Sequence, residues 1–62
     1  MKVSATTGAV IVEGAAGRTV RIVATDGRTV SSFVGTDRDE VPLASGIYMV
    51  TVGRLTHKVM VR

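Results

Sequence analysis

Between Arg18 and Ala24 the side chains alternate, with Val20 and Ile22 on one face and Arg21 on the other. A period of two marks a half-buried strand, because successive side chains of a strand point to opposite faces. Ala9–Glu13, Thr29–Val34, Ile47–Val52 and Thr56–Val61 also read as strands, with a short extended piece at Val41–Leu43. Valine and threonine dominate these segments, and β-branched side chains fit a pleated surface. No long stretch carries apolar residues at helical spacing, so no helix is predicted.

Turn chemistry separates the strands. Gly14-Ala15-Ala16-Gly17 closes the first, and Gly53-Arg54 turns the chain ahead of the last. Asp26-Gly27-Arg28 is a strong hairpin signal, because glycine accepts the positive φ that tight turns demand. Thr36–Glu40 reads as a polar loop, and Pro42 confines Val41–Leu43 to an edge or a strand end. Arg21 and Lys58, charged at strand positions, read as protection of sheet edges. The pattern predicts an all-β domain of six or seven short antiparallel strands, a sandwich or a barrel. Its expected core is Val20, Ile22, Val30, Leu43, Ile47, Met49, Val59 and Val61. If the other face of the Ile47–Val52 strand points inward, Tyr48, Val50 and Val52 replace Ile47 and Met49.

Length sharpens the picture. A chain of 62 residues is a single domain that buries roughly 60% of its unfolded surface, so its stability is marginal. It has no cysteine to add a disulfide or a thiolate metal site, and it is too short for a deep catalytic cleft. Valine-rich edges on so small a sandwich predict self-association through sheet edges. The longest apolar run, Ala9–Val12, falls far short of the roughly 20 residues of a membrane-spanning helix. Met1-Lys2 leads into serine, threonine and glycine rather than an apolar stretch, so no secretory leader is expected here.

The formal charge of +3 raises the question of nucleic acid. Its eight basic residues are scattered from Lys2 to Arg62, and only Phe33 and Tyr48 could stack a base, so no nucleic-acid partner is expected. Candidate chemistry is equally sparse. His57, Ser31, Ser32 and Asp26 hold the residue types of a triad without a nucleophile elbow, and His57 is read as a solvent-facing strand histidine. Asp37, Asp39 and Glu40 lack the spacing, central glycine and distal glutamate of a calcium loop, and Arg38 interrupts them. Gly14 to Gly17 precedes no helix whose N-terminus could hold phosphate. No catalytic, cofactor-binding or metal-ligating residue is assigned, and the expected product is a non-enzymatic β-module.

Two stretches carry a resemblance. Val20-x-Ile22 followed by Asp26-Gly27-Arg28-x-Val30 is one. Leu43-x-x-Gly46-Ile47-Tyr48-x-Val50-x-Val52 with the closing Lys58-Val59-Met60-Val61-Arg62 is the more specific. Together, over Ala9 to Arg62, they resemble the C-terminal sorting domain of proteins exported by the type IX (Por) secretion system. Val23 and Ala24 stand where that family usually has Tyr and then Asp or Asn, no upstream Asn-Pro element is present, and Arg62 replaces the usual final lysine.

The resemblance implies a seven-strand immunoglobulin-like sandwich forming the C-terminal tail of a larger secreted protein. It implies passage through the periplasm to the outer membrane, cell surface or medium. The implied partners are the type IX translocon, shuttle proteins and a surface peptidase, with Gly46, Ile47, Tyr48, Val50, Lys58, Val59, Met60, Val61 and Arg62 as recognition residues. A generic immunoglobulin-like adhesion or ligand-binding module is the alternative reading of the same strands.

Overall fold

A computed structural model describes all 62 residues and contains seven strands and no helix. In chain order they are β1 (Lys2–Thr6), β2 (Ala9–Glu13), β3 (Thr19–Ala24), β4 (Thr29–Val34), β5 (Arg38–Pro42), β6 (Gly46–Val52) and β7 (Leu55–Val61). They form a three-stranded sheet, β1-β2-β5, and a four-stranded sheet, β4-β3-β6-β7, antiparallel throughout. The fold is a small antiparallel β-sandwich. In immunoglobulin lettering the sheets are A-B-E and C′-C-F-G.

Its core is a product of the two-residue period. Val10 and Val12 from β2, Val20 and Ile22 from β3, and Val50 and Val52 from β6 are all sealed from solvent. These are the inner strands of the two sheets, so the core lies where both faces are fully covered. Val61 joins them from β7, and Ala15 plugs one end from the loop after β2. Val3, Ala5, Val41, Phe33, Leu43 and Val59 line the margin, half-buried.

The structure corrects several sequence expectations. Tyr48, Val50 and Val52 are the inward set of β6, while Ile47 and Met49 face outward, because the register opposes Val50 to Ile22 and Val52 to Val20. Val30 also faces out: β4 sets Phe33 against Val20 and Ser31 against Ile22, so Phe33 and Ser31 take its inward face and Val30, Ser32 and Val34 its outward one. Arg38–Glu40 belong to β5 rather than to a loop, since β2 supplies a ladder that local polarity does not reveal. β1, unread in the sequence, pairs with β2 along its whole length. Arg21 sits on the interior strand β3 and protects no edge, whereas Lys58 does lie on the edge strand β7.

Two crossovers between the sheets, Gly14–Arg18 and Gly35–Asp37, lie side by side and are stitched by backbone hydrogen bonds. Gly35 N donates to Arg18 O at 2.7 Å, Gly17 N to Gly35 O at 3.1 Å, and Gly14 N to Asp37 O at 2.8 Å. A Cβ on Gly35 would run into the carbonyl oxygen and methyl group of Ala15. The glycine is required for this backbone approach. Gly35→Ala is expected to cost roughly 1–3 kcal/mol by overpacking, read as a lower midpoint in urea denaturation with the slope unchanged.

Candidate functional site

The β6–β7 hairpin holds nearly all the residues that the sequence singled out, and its geometry divides them. β6 and β7 pair from Gly46↔Val61 to Val52↔Leu55, with Ile47 opposite Met60 and Met49 opposite Lys58. Alternation sends Tyr48, Val50, Val59 and Val61 inward and Ile47, Met49, Lys58 and Met60 outward. Val23 of β3 lies beside Met49 on that outer face, and Arg21 lies beside Thr51. The result is an uncovered patch of Val23, Ile47, Met49 and Met60 with Lys58 set into it and Arg21 at its border. Met60 is therefore a surface residue, not an anchor of the closing strand. Arg62, just past β7, is exposed, and its carbonyl oxygen accepts from Gly8 N at 2.9 Å. That bond ties the chain end to the β1–β2 turn.

Tyr48 is built into the fold. The residue is 8% exposed, and its hydroxyl donates to the Ala44 carbonyl four residues upstream at 2.7 Å. A tyrosine near the start of strand F that bonds the backbone just before it is the tyrosine corner of immunoglobulin-like sandwiches. The hydroxyl pins the β5–β6 connection, which otherwise carries only one other anchor, Leu43 N donating to Gly8 O at 2.9 Å. The Asp26-Gly27-Arg28 turn is also local structure. Asp26 Oδ1 accepts from Arg28 N at 2.9 Å, and Gly27 has φ +88°.

The remaining candidates do not converge. Ser31 and Ser32 lie on β4 and His57 on β7, opposite edges of the four-stranded sheet and about three strand spacings, roughly 14 Å, apart. Asp39 is occupied by the loop before it, accepting from Thr36 N at 2.7 Å and Thr36 Oγ1 at 2.9 Å. Glu40 stands 3.8 Å from Arg38. No three His, Asp or Glu side chains approach one another as metal ligands would. The surface hollows are shallow. The largest, about 410 Å³, is lined by Ala5, Thr6, Thr7, Met60 and Arg62.

His57 departs from its reading as a solvent-facing residue. It shares the inward face of β7 with Val59 and Val61, is half-buried, and its Nε2 is occluded without a hydrogen-bond partner. The alternation within Thr56–Val61 held that signal, since residues 57, 59 and 61 fall on one face.

Charge is divided between the layers in a way that linear order hides. Residues 18–34 and 46–62, which build the four-stranded sheet and its turns, carry six bases (Arg18, Arg21, Arg28, Arg54, Lys58, Arg62) and one acid, Asp26. The other layer carries four acids (Glu13, Asp37, Asp39, Glu40) and two bases, Lys2 and Arg38. The uncovered apolar patch thus lies on the basic layer.

The sequence profile of a family described as a domain of unknown function (DUF6383) matches residues 1–61. No curated protein and no solved structure matches the chain.

Two substitutions test the site's internal structure. Tyr48→Phe removes one hydrogen bond while keeping the ring, with an expected loss of about 1 kcal/mol by chemical denaturation. His57→Leu removes an occluded polar atom that has no partner. It is expected to raise stability by about 1 kcal/mol, read as a higher urea midpoint, since an unsatisfied buried group costs on that order.

Proposed function

This chain belongs to the DUF6383 family, and we propose that it is a non-catalytic sorting domain, an address label that directs a cargo across the outer membrane through the type IX secretion system. The observation that carries the reading is the β6–β7 hairpin. Gly46-Ile47-Tyr48-x-Val50 and Lys58-Val59-Met60-Val61-Arg62 pair as neighbouring strands, and each alternates between core and surface. Tyr48, Val50, Val59 and Val61 hold the hairpin in the sandwich. Ile47, Met49, Lys58 and Met60 form the face that a receptor would read, with Arg62 beside it. A label needs a stable shape and an exposed epitope, and it needs no reactive group.

The charge division supports the same reading. Basic side chains on one layer favour docking on an acidic receptor surface and set its orientation. The translocon, shuttle proteins and a surface peptidase are the partners that this function requires, with the domain passing through the periplasm to the cell surface. A second reading rests on the tyrosine corner and the A-B-E/C′-C-F-G order. Sandwiches of this kind serve many cell-surface proteins, so a generic adhesion or ligand-binding module is the alternative.

The test is export of a reporter that carries an N-terminal export signal and this domain at its C-terminus, in a host with a type IX system. The unmodified fusion is expected at the cell surface. The double substitution Lys58→Gln, Arg62→Gln removes two exposed charges, and surface changes typically alter stability by no more than about 0.5 kcal/mol. The variant is expected to keep its circular dichroism spectrum and to leave the reporter in the periplasm. Failure of the unmodified domain to export the reporter makes the generic module the better account.

A further inference from the structure

We propose that β4 is a dimerisation edge, along which two copies of this chain pair antiparallel about a two-fold axis and join their four-stranded sheets into one. This inference is independent of the sorting reading.

The sandwich is closed on one flank and open on the other. β1 packs against β7, so these two edges cover each other, and the Gly8–Arg62 backbone bond ties them together. On the opposite flank β4 and β5 have no comparable contact. The gap between them is a hollow of about 210 Å³ lined by Ser31, Phe33, Asp39, Glu40, Val41 and Pro42. Of its two edges, β5 carries Arg38, Asp39, Glu40 and Pro42, charges and a proline of the kind that blunt strand addition. β4, Thr29-Val30-Ser31-Ser32-Phe33-Val34, has no charge and no proline. It is the one edge of the molecule left without protection along its regular stretch, Ser31 to Val34. A bulge in its pairing with β3, at Ile22/Val23, disturbs only the end near Val30.

Backbone direction and side chains both favour a second copy. Gly35 N bonds to Arg18 O on the β3 side. Ladder alternation then turns Phe33 and Ser31 toward β3, leaving the amide and carbonyl groups of Ser32 and Val34 directed to the open side. A two-fold axis at Ser32 sets Ser32 against Ser32 and Val34 against Val30 of the second copy. Val34 is 65% exposed and Val30 39% exposed, so each apolar side chain gains an apolar neighbour. Symmetric pairing places each residue type near its own kind, which penalises charged edges and spares this one. The nearest interior charge, Arg21 on β3, would lie about three strand spacings from its symmetry mate, roughly 14 Å, beyond a Debye length of ~8 Å at physiological salt.

Sedimentation equilibrium of the 62-residue chain up to millimolar concentration, with circular dichroism to monitor folding, tests the proposal. The wild-type chain is expected to dimerise weakly and reversibly. Val34→Lys places a charge on the pairing edge at an exposed site and is expected to weaken the dimer at least tenfold. Ser32→Pro removes an amide that the β3 ladder does not use and is expected to do the same, which keeps the test open if either variant folds poorly. Met60→Lys places the same charge at a comparably exposed site (57%) on the opposite edge strand and is expected to leave the dimer unchanged. A wild-type chain that stays monomeric at millimolar concentration overturns the proposal. A dimer that Met60→Lys weakens as much as Val34→Lys also overturns it, because association then runs through the outer face of the sheet.

Discussion

Six β-branched side chains on three inner strands hold this domain together. Val10 and Val12 of β2 meet Val20, Ile22, Val50 and Val52 of β3 and β6 across the space between two sheets, and none of the six is reached by solvent. Stiff, branched side chains suit this role because they lose little rotamer freedom when a strand forms. With so few buried residues, every other feature must respect their register. A slip of one residue in β3 or β6 would turn Arg21 or Met49 into the core and expel Ile22 or Val50.

The outer surface follows from that constraint. Once Val50 and Val52 point inward, Ile47, Met49 and Thr51 must point outward, and pairing with β7 brings Lys58 and Met60 beside them. The outward face of the hairpin, which the proposed sorting function would present to a receptor, is thus the complement of its packing face. Tyr48 belongs to the packing face, and its hydroxyl fixes the approach of the chain into β6. A motif such as Gly-Ile-Tyr-x-Val mixes both roles within five residues, so its conspicuousness in sequence does not show which residues a partner touches.

Size limits how the edges are handled. Two short sheets have four edge strands, and this sandwich settles three of them differently. β1 and β7 lie against each other, and β5 is charged and proline-ended. β4 relies on a single bulge at one end. The loops between sheets are more tightly specified than the edges, with Gly35 and Ala15 in direct backbone contact where the crossovers meet.

Alternation, β-branched composition and turn glycines made the strand class, five of the strands and the hairpin at Asp26-Gly27 legible in sequence, because each rests on interactions within a few residues. The inward set of β6 was not legible. Ile47/Met49 and Tyr48/Val50/Val52 are both apolar, and only pairing with Val20 and Ile22 decides between them. β1 and the charged half of β5 escaped notice for the same reason: Lys2–Thr6 and Arg38–Glu40 become strands through β2, which supplies the ladder their own side chains do not announce. The separation of bases from acids onto two layers likewise arises only when distant segments are folded together. Sequence alone determined what repeats locally, the alternation and the turns. Tertiary structure decided which face is buried, because burial depends on the strand that lies opposite.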